Sequence, residues 1–198
     1  MTSKEVLLLL TDQWADWEAA YAIAEVNSAA NYSVKTISFD KESKTSIGGL
    51  RTEIDYDIKE YTNFSRLALV ILPGGFSWAD NRYDEIAEFI KQVRDRQIPI
   101  AAICGATIFL GKHGFLDHIK HTGDNFEFFE KQNGYRGETH FLDEQVVRDD
   151  DVITANETAA VDFAYEIYKL LKIDDLEEID AWYDNFKNGF VRKGSNEK

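Results

Sequence analysis

Residues Ile98–Gly111 read IPIAAICGATIFLG, and this stretch decides the fold. The apolar run of Ile98, Ile100, Ala101, Ala102 and Ile103 predicts a buried strand. It stops at Cys104, the single cysteine of the chain. Gly105 follows, and Ala106–Leu110 can open a helix. A strand that turns sharply into a helix lifts the turn residue out of the sheet and sets it at the positive helix end. That place lowers a thiol pKa and offers N–H groups to an oxyanion. Cysteine also suits a buried core as a small apolar residue, so the segment alone leaves both roles open.

Working outward, strands and helices alternate. Val6–Thr11 predicts a first strand and Asp16–Ala29 an amphipathic helix, with Trp17, Ala20, Tyr21 and Ala24 at helical spacing. Tyr32–Ser38 predicts a second strand, and Thr45–Ile54 a small hairpin around Gly48-Gly49. The run LALVIL, Leu67–Leu72, suits a strand covered on both faces. Pro73-Gly74-Gly75 ends it. Tyr83–Arg96 predicts a helix with the stripe Ile86, Phe89, Ile90, Val93. Helical pieces follow at Thr107–His113 and Asp124–Phe129. Gln145–Arg148 and Val152–Ala155, split by three aspartates, predict a hairpin or two short strands. Thr158–Leu171 predicts a helix with Val161, Phe163, Ala164, Ile167, Tyr168 and Leu171 inward. Asp174–Phe190 predicts a last helix capped by Asp174, and Lys193–Lys198 a frayed tail. This order implies an α/β three-layer sandwich, with a mostly parallel sheet and helices on both faces. Sites in such sheets lie at the carboxyl ends of strands, where Thr11, Pro73–Gly75 and Cys104 fall.

The chain of 198 residues fits one domain, with a helical extension from about 174. An apolar fraction of 44% argues against global disorder. A net charge of −14 repels phosphate backbones and anionic lipid, so neither nucleic acid nor membrane is an expected partner. No run reaches the ~20 apolar residues of a membrane helix, and Val6–Leu10 is too short for a secretory leader. One cysteine excludes an internal disulfide and fits a reducing compartment, so the cytoplasm is expected. No HExxH, GxGxxG or Walker pattern occurs, so no metal and no cofactor are expected.

Three segments converge on one end of this sheet: Thr11-Asp-Gln-Trp-Ala-Asp-Trp-Glu18, Leu72-Pro-Gly-Gly-Phe-Ser-Trp78 and Ala102-Ile-Cys-Gly-Ala106. Together they resemble the ThiJ/PfpI superfamily, the flavodoxin-like group related to class I glutamine amidotransferases. Gly48-Gly49-Leu50 resembles that family's glycine-containing hairpin. Glu157-Thr-Ala-Ala160 stands where relatives usually carry Gly-Thr-Ala-Pro. The resemblance implies Cys104 as nucleophile, Glu18 as the acidic residue reaching the thiol, and Gly75 with Gly105 as the oxyanion-binding pair. An ionised Glu18 would raise the thiol pKa, so Glu18 helps only as a neutral, buried hydrogen-bond donor. Relatives described as peptidases or deglycases commonly carry a histidine directly after the nucleophile, where this chain has Gly105. Others place one in a later segment. Here that stretch is Lys120–Asn125, with His121 near the place and Asp124 in the closest register. Trp14, Trp17 and Trp78 flank the expected pocket, and Trp78, Asp124 and Thr158 are its candidate lining.

Two function classes follow. One is a cysteine-dependent hydrolase or lyase acting on a small carbonyl, amide or nitrile-like substrate, with Cys104, Glu18 and His121 as catalytic candidates. The other is a non-catalytic, redox-sensitive thiol protein or stress-related binding module on the same fold, whose partner is an oxidant. The resemblance also implies a homodimer. The aromatics Trp182, Tyr183, Phe186 and Phe190 in the last helix are surfaces that need cover.

Overall fold

The computed structural model describes residues 3–79 and 83–190. In chain order its elements are β1 (Lys4–Leu9), α1 (Asp16–Ser28), β2 (Tyr32–Ser38), β3 (Lys44–Thr45), β4 (Arg51–Thr52), β5 (Tyr56–Asp57), β6 (Leu67–Leu72) and α2 (Asp84–Asp95). There follow β7 (Ile100–Ile103), α3 (Gly105–Lys112), α4 (Phe126–Glu130), β8 (Val146–Asp149), β9 (Val152–Ala155), α5 (Ala160–Leu171) and α6 (Leu176–Asn188). Seven strands form one sheet in the order β5-β2-β1-β6-β7-β9-β8. All pairs are parallel except β8 with β9. This is the mostly parallel α/β sheet that the alternating pattern implies and the flavodoxin-like fold that the resemblance implies.

Strand side chains alternate between two cores because the β period is two residues. Leu7, Leu9, Val70, Leu72, Ile100 and Ala102 face α2 and α3 on one side. Val6, Leu8, Leu69, Ile71, Ala101 and Ile103 face α1 and α5 on the other. The α2 stripe of Ile86, Phe89, Ile90 and Val93 is fully inward. Burying such a side chain stabilises by about 1.5–3 kcal/mol, which fixes that helix's rotation. The β3–β4 hairpin is tied to the start of α1, where Asp16 Oδ2 accepts the Gly48 N–H at 3.0 Å. No described helix is long and apolar enough to cross a membrane.

The α1 stripe is rotated from the expected one. Trp17, Ala20, Tyr21 and Ala24 are exposed, and Glu18, Ala19, Ala22 and Val26 are buried. Small alanines let this helix lie close to the sheet. Tyr21 instead meets α6, edge-on to Trp182 at 6.2 Å and to Phe186 at 5.4 Å. In α5 the inward set includes Asp162, and Val161 is only half-buried. Asp162 is held by α6, accepting from Tyr183 Oη at 2.7 Å and Lys187 Nζ at 2.6 Å. The cap of α6 is Asp175, which accepts the Glu178 N–H at 3.0 Å, and not Asp174. The expected tail from Lys193 lies outside the described residues.

Candidate active site

Cys104 sits between β7 and α3 with φ 56° and ψ −131°. A non-glycine residue there carries backbone strain and must be held by its surroundings. Its N–H donates to the Ala155 carbonyl at the end of β9, 3.0 Å away. Its carbonyl accepts the Thr107 N–H at 2.9 Å and the Thr107 hydroxyl at 2.6 Å. The half-buried thiol therefore stands at the first turn of α3.

Glu18 approaches from the sheet-facing side of α1 and is fully buried. Its Oε2 accepts the Gly74 N–H at 2.5 Å, and its Oε1 is buried with no hydrogen-bond partner among the described residues. Gly74 is what lets this carboxyl meet the thiol. A Cβ on Gly74 would lie 2.6 Å from Cys104 Cβ, 2.8 Å from Sγ and 2.7 Å from Glu18 Oε2. Next to it, Gly75 has φ +139°, and a side chain there would run into the Gln13 carbonyl. The Trp14–Gly75 bridge is made by the Ala15 N–H to the Gly74 carbonyl and the Phe76 N–H to the Gln13 carbonyl. The Gly75 N–H stays outside that bridge. The Gly105 N–H is directed to the Cys104 sulfur. Buried Trp78 is anchored by its Nε1–H on the Pro73 carbonyl at 2.8 Å and lies against Gly105, its Cδ1 3.4 Å from where a Cβ would be.

Two further carboxylates face the thiol. Thr122 donates its N–H to Thr154 Oγ1 at 2.9 Å and its hydroxyl to the Glu144 carbonyl at 2.8 Å. This pins the following residues across the end of β9. Asp124 Oδ1 then accepts the Glu157 N–H at 2.7 Å. Cys104 Sγ and one carboxylate oxygen each of Asp124 and Glu157 lie within 4.8 Å of one another, close enough to share a cation. Glu157 was not among the expected site residues. Its signal was the departure at the start of Glu157-Thr-Ala-Ala160.

Burial raises the Glu18 pKa to about 8, and the negative charges of Asp124 and Glu157 push the same way against the lowering Gly74 N–H. Glu18 thus carries a proton at neutral pH. Burial also pushes the Cys104 thiol up, as do the carboxylates of Glu18 and Asp124, while the Gly105 N–H pulls it down. The repulsion from Glu18 vanishes when Glu18 is neutral.

The structure does not bring His121 to the thiol. His121 is fully buried among Phe129, Tyr135 and Phe141. Its Nδ1 lies 2.8 Å from the Ile119 carbonyl and its Nε2 2.7 Å from Tyr135 Oη. A carbonyl only accepts, so Nδ1 bears the hydrogen and Nε2 accepts from the tyrosine. Both nitrogens are occupied, and burial lowers the pKa of the ring. Thr158 is exposed, its hydroxyl 2.8 Å from Asn156 Oδ1 and 3.1 Å from Gln145 Oε1 in the turn before α5. Trp14 is buried beside Gly75, whereas Trp17 faces solvent.

Residues 4–170 match the DJ-1/PfpI family. The chain is 38% identical over 189 residues to a Bacillus subtilis protein named uncharacterized protease YdeA, covering 94% of this chain and 93% of that one. It superposes on the thiJ/pfpI family protein of Bacillus anthracis with a TM-score of 0.89 at 35% identity, covering 94% and 92% of the two chains. A DJ-1 superfamily protein of Agrobacterium tumefaciens gives a TM-score of 0.87 at 31% identity, covering 96% of this chain and 100% of that one. With the elbow cysteine, the buried glutamate and the sheet order in place, the chain belongs to the DJ-1/PfpI family.

Proposed function

We propose that the protein is a cysteine-dependent enzyme of hydrolase or lyase type, acting on a small carbonyl, amide or nitrile-like substrate. The observation that carries this reading is a proton-bearing, buried Glu18 set against a thiol on a strained elbow. Cys104 sulfur attacks the electrophilic carbon, and the π pair moves to oxygen or nitrogen. The N–H groups of Gly75 and Gly105 hold that developing charge. Asp124, close to the thiol, takes the thiol proton and returns it to the charged atom. Neutral Glu18 supports the sulfur by donating a hydrogen bond. Proteolysis is left out of the proposal, because Gly105 follows the thiol and His121 is occupied elsewhere. The cytoplasm, where a lone thiol stays reduced, suits this chemistry.

Cys104→Ala is expected to remove all turnover in a panel of small aldehydes, amides and nitriles, with the thermal melt retained. Activity surviving that change refutes the reading. The iodoacetamide alkylation rate against pH gives a readout free of substrate choice. Its profile is expected to shift in Glu18→Gln, and a profile indifferent to Glu18 counts against the proposed pairing.

A second reading, a redox-sensitive thiol or binding module without turnover, is favoured by Cys104 being the sole cysteine and half-buried. Oxygen added at Cys104 by mild peroxide, together with no activity on the panel, would select it. The homodimer also belongs to this proposal. Exposed Tyr21 on α1 meets Phe186 on α6, where Trp182 and Phe186 stack at 4.7 Å, and Trp17 is exposed on the same helix. A second copy covering this aromatic face predicts a dimer mass in sedimentation, and a concentration-independent monomer removes it.

A further inference from the structure

Among the described residues, the charges that act on the thiol and on Glu18 are negative ones. Asp124 and Glu157 bear on Glu18, and Asp124 bears on Cys104. Exposure increases outward from the half-buried Cys104 and Asp124 to the exposed Glu157. An incoming molecule therefore meets the exposed Glu157 before it meets sulfur. Independently, Glu18 Oε1 is fully buried, has no hydrogen-bond partner among the described residues and belongs to a carboxyl turned toward the thiol. The site thus offers the carboxylates of Asp124 and Glu157 beside the thiol, backed by a Glu18 carboxyl with one buried oxygen that has no hydrogen-bond partner among the described residues.

We propose that this site selects electrophiles carrying a positively charged group, such as an ammonium a few atoms from the reacting centre, and rejects carboxylate- and phosphate-bearing ones. The inference rests on the reading of Cys104 as the reacting thiol. The ammonium would sit between the Asp124 and Glu157 carboxylates, whose oxygens lie within 4.8 Å of sulfur and of each other. The reacting atom would then stand at Sγ. An anionic substrate would be repelled at the same place, since among the described residues the charges acting on the pair are carboxylates.

Three methanethiosulfonates with 2-ammonioethyl, methyl and 2-sulfonatoethyl groups test this. Each transfers its alkylthio group to sulfur: the Cys104 thiolate attacks, a new S–S bond forms, and the same methanesulfinate leaves. Rates at Cys104 are read by mass, unambiguous for a single cysteine, and divided by those for an uncharged model thiol. The cationic reagent is expected to outrun the anionic one by about tenfold or more, in the range of electrostatic steering by a charged cleft. Glu157→Gln keeps the backbone N–H that binds Asp124 and is expected to shrink that ratio several-fold. A normalised ratio near one, or one favouring the sulfonate, overturns the inference and leaves the thiol reading standing. A preference unchanged in Glu157→Gln also overturns it, since the source is then the protein's overall −14 charge. A Cys104 that no reagent modifies overturns both.

Discussion

Glu18→Gln is expected to gain on the wild type in stability as pH rises, by roughly 4–5 kcal/mol between pH 4.5 and pH 8. The carboxyl keeps its proton up to about pH 8 in the folded chain, against an ordinary value of 4.5. Between these limits the folded state binds a proton that the unfolded state has released. Wild-type stability therefore falls as pH rises through that window, and the loss is complete above the folded pKa. At about 1.36 kcal/mol per pKa unit, the window gives the stated size. Glutamine can still accept the Gly74 N–H but cannot ionise. Burial lowers the pKa values of His121 and His113, which acts in the opposite sense, but both are present in the two proteins and cancel in the difference. Urea melts of both at pH 5 and pH 8.5 check this. A gap that does not change with pH would show that Glu18 carries no proton in the folded chain.

Gly74→Ala is expected to lower the alkylation rate of Cys104 by about 100-fold, the scale on which an ångström of misplacement acts. The added Cβ would sit within 2.8 Å of Cys104 Cβ, Cys104 Sγ and Glu18 Oε2. Overpacking of this kind costs about 1–3 kcal/mol. Gly74 is not among the positive-φ residues, so alanine suits its backbone and the effect is steric. Gly75 offers no such clean test, because its φ of +139° strains any side chain. Iodoacetamide kinetics and a urea midpoint on the same sample separate lost geometry from lost fold. An unchanged rate would show that Sγ does not work from the place it occupies beside Gly74.

The sheet was legible where one pattern dominated. LALVIL at Leu67–Leu72 has apolar residues in both alternating sets and lies between two cores. The elbow was legible because an apolar strand stops at a cysteine followed by glycine. The rotation of α1 was not, because the sheet selects its small side while Tyr21 answers to α6, more than 150 residues later. The base candidates show the same limit. His121 and Asp124 are three residues apart, and local spacing cannot separate them. Tertiary neighbours do: Tyr135 and the Ile119 carbonyl occupy the histidine, while the Glu157 N–H holds the aspartate at the thiol. Glu157 reaches the site only because β9 pairs beside β7, which no short motif encodes.

The bond from the Gly74 N–H to Glu18 spans 56 residues of chain, and the Cys104 N–H is held by Ala155 across a parallel strand pair. Contacts of such long sequence separation form slowly, because chain entropy must be lost before they can reward it. The helices and the local hairpin can exist before any of them. The thiol acquires its final surroundings only when β1, β6, β7 and β9 have all docked, so its chemistry is a clock for the end of folding.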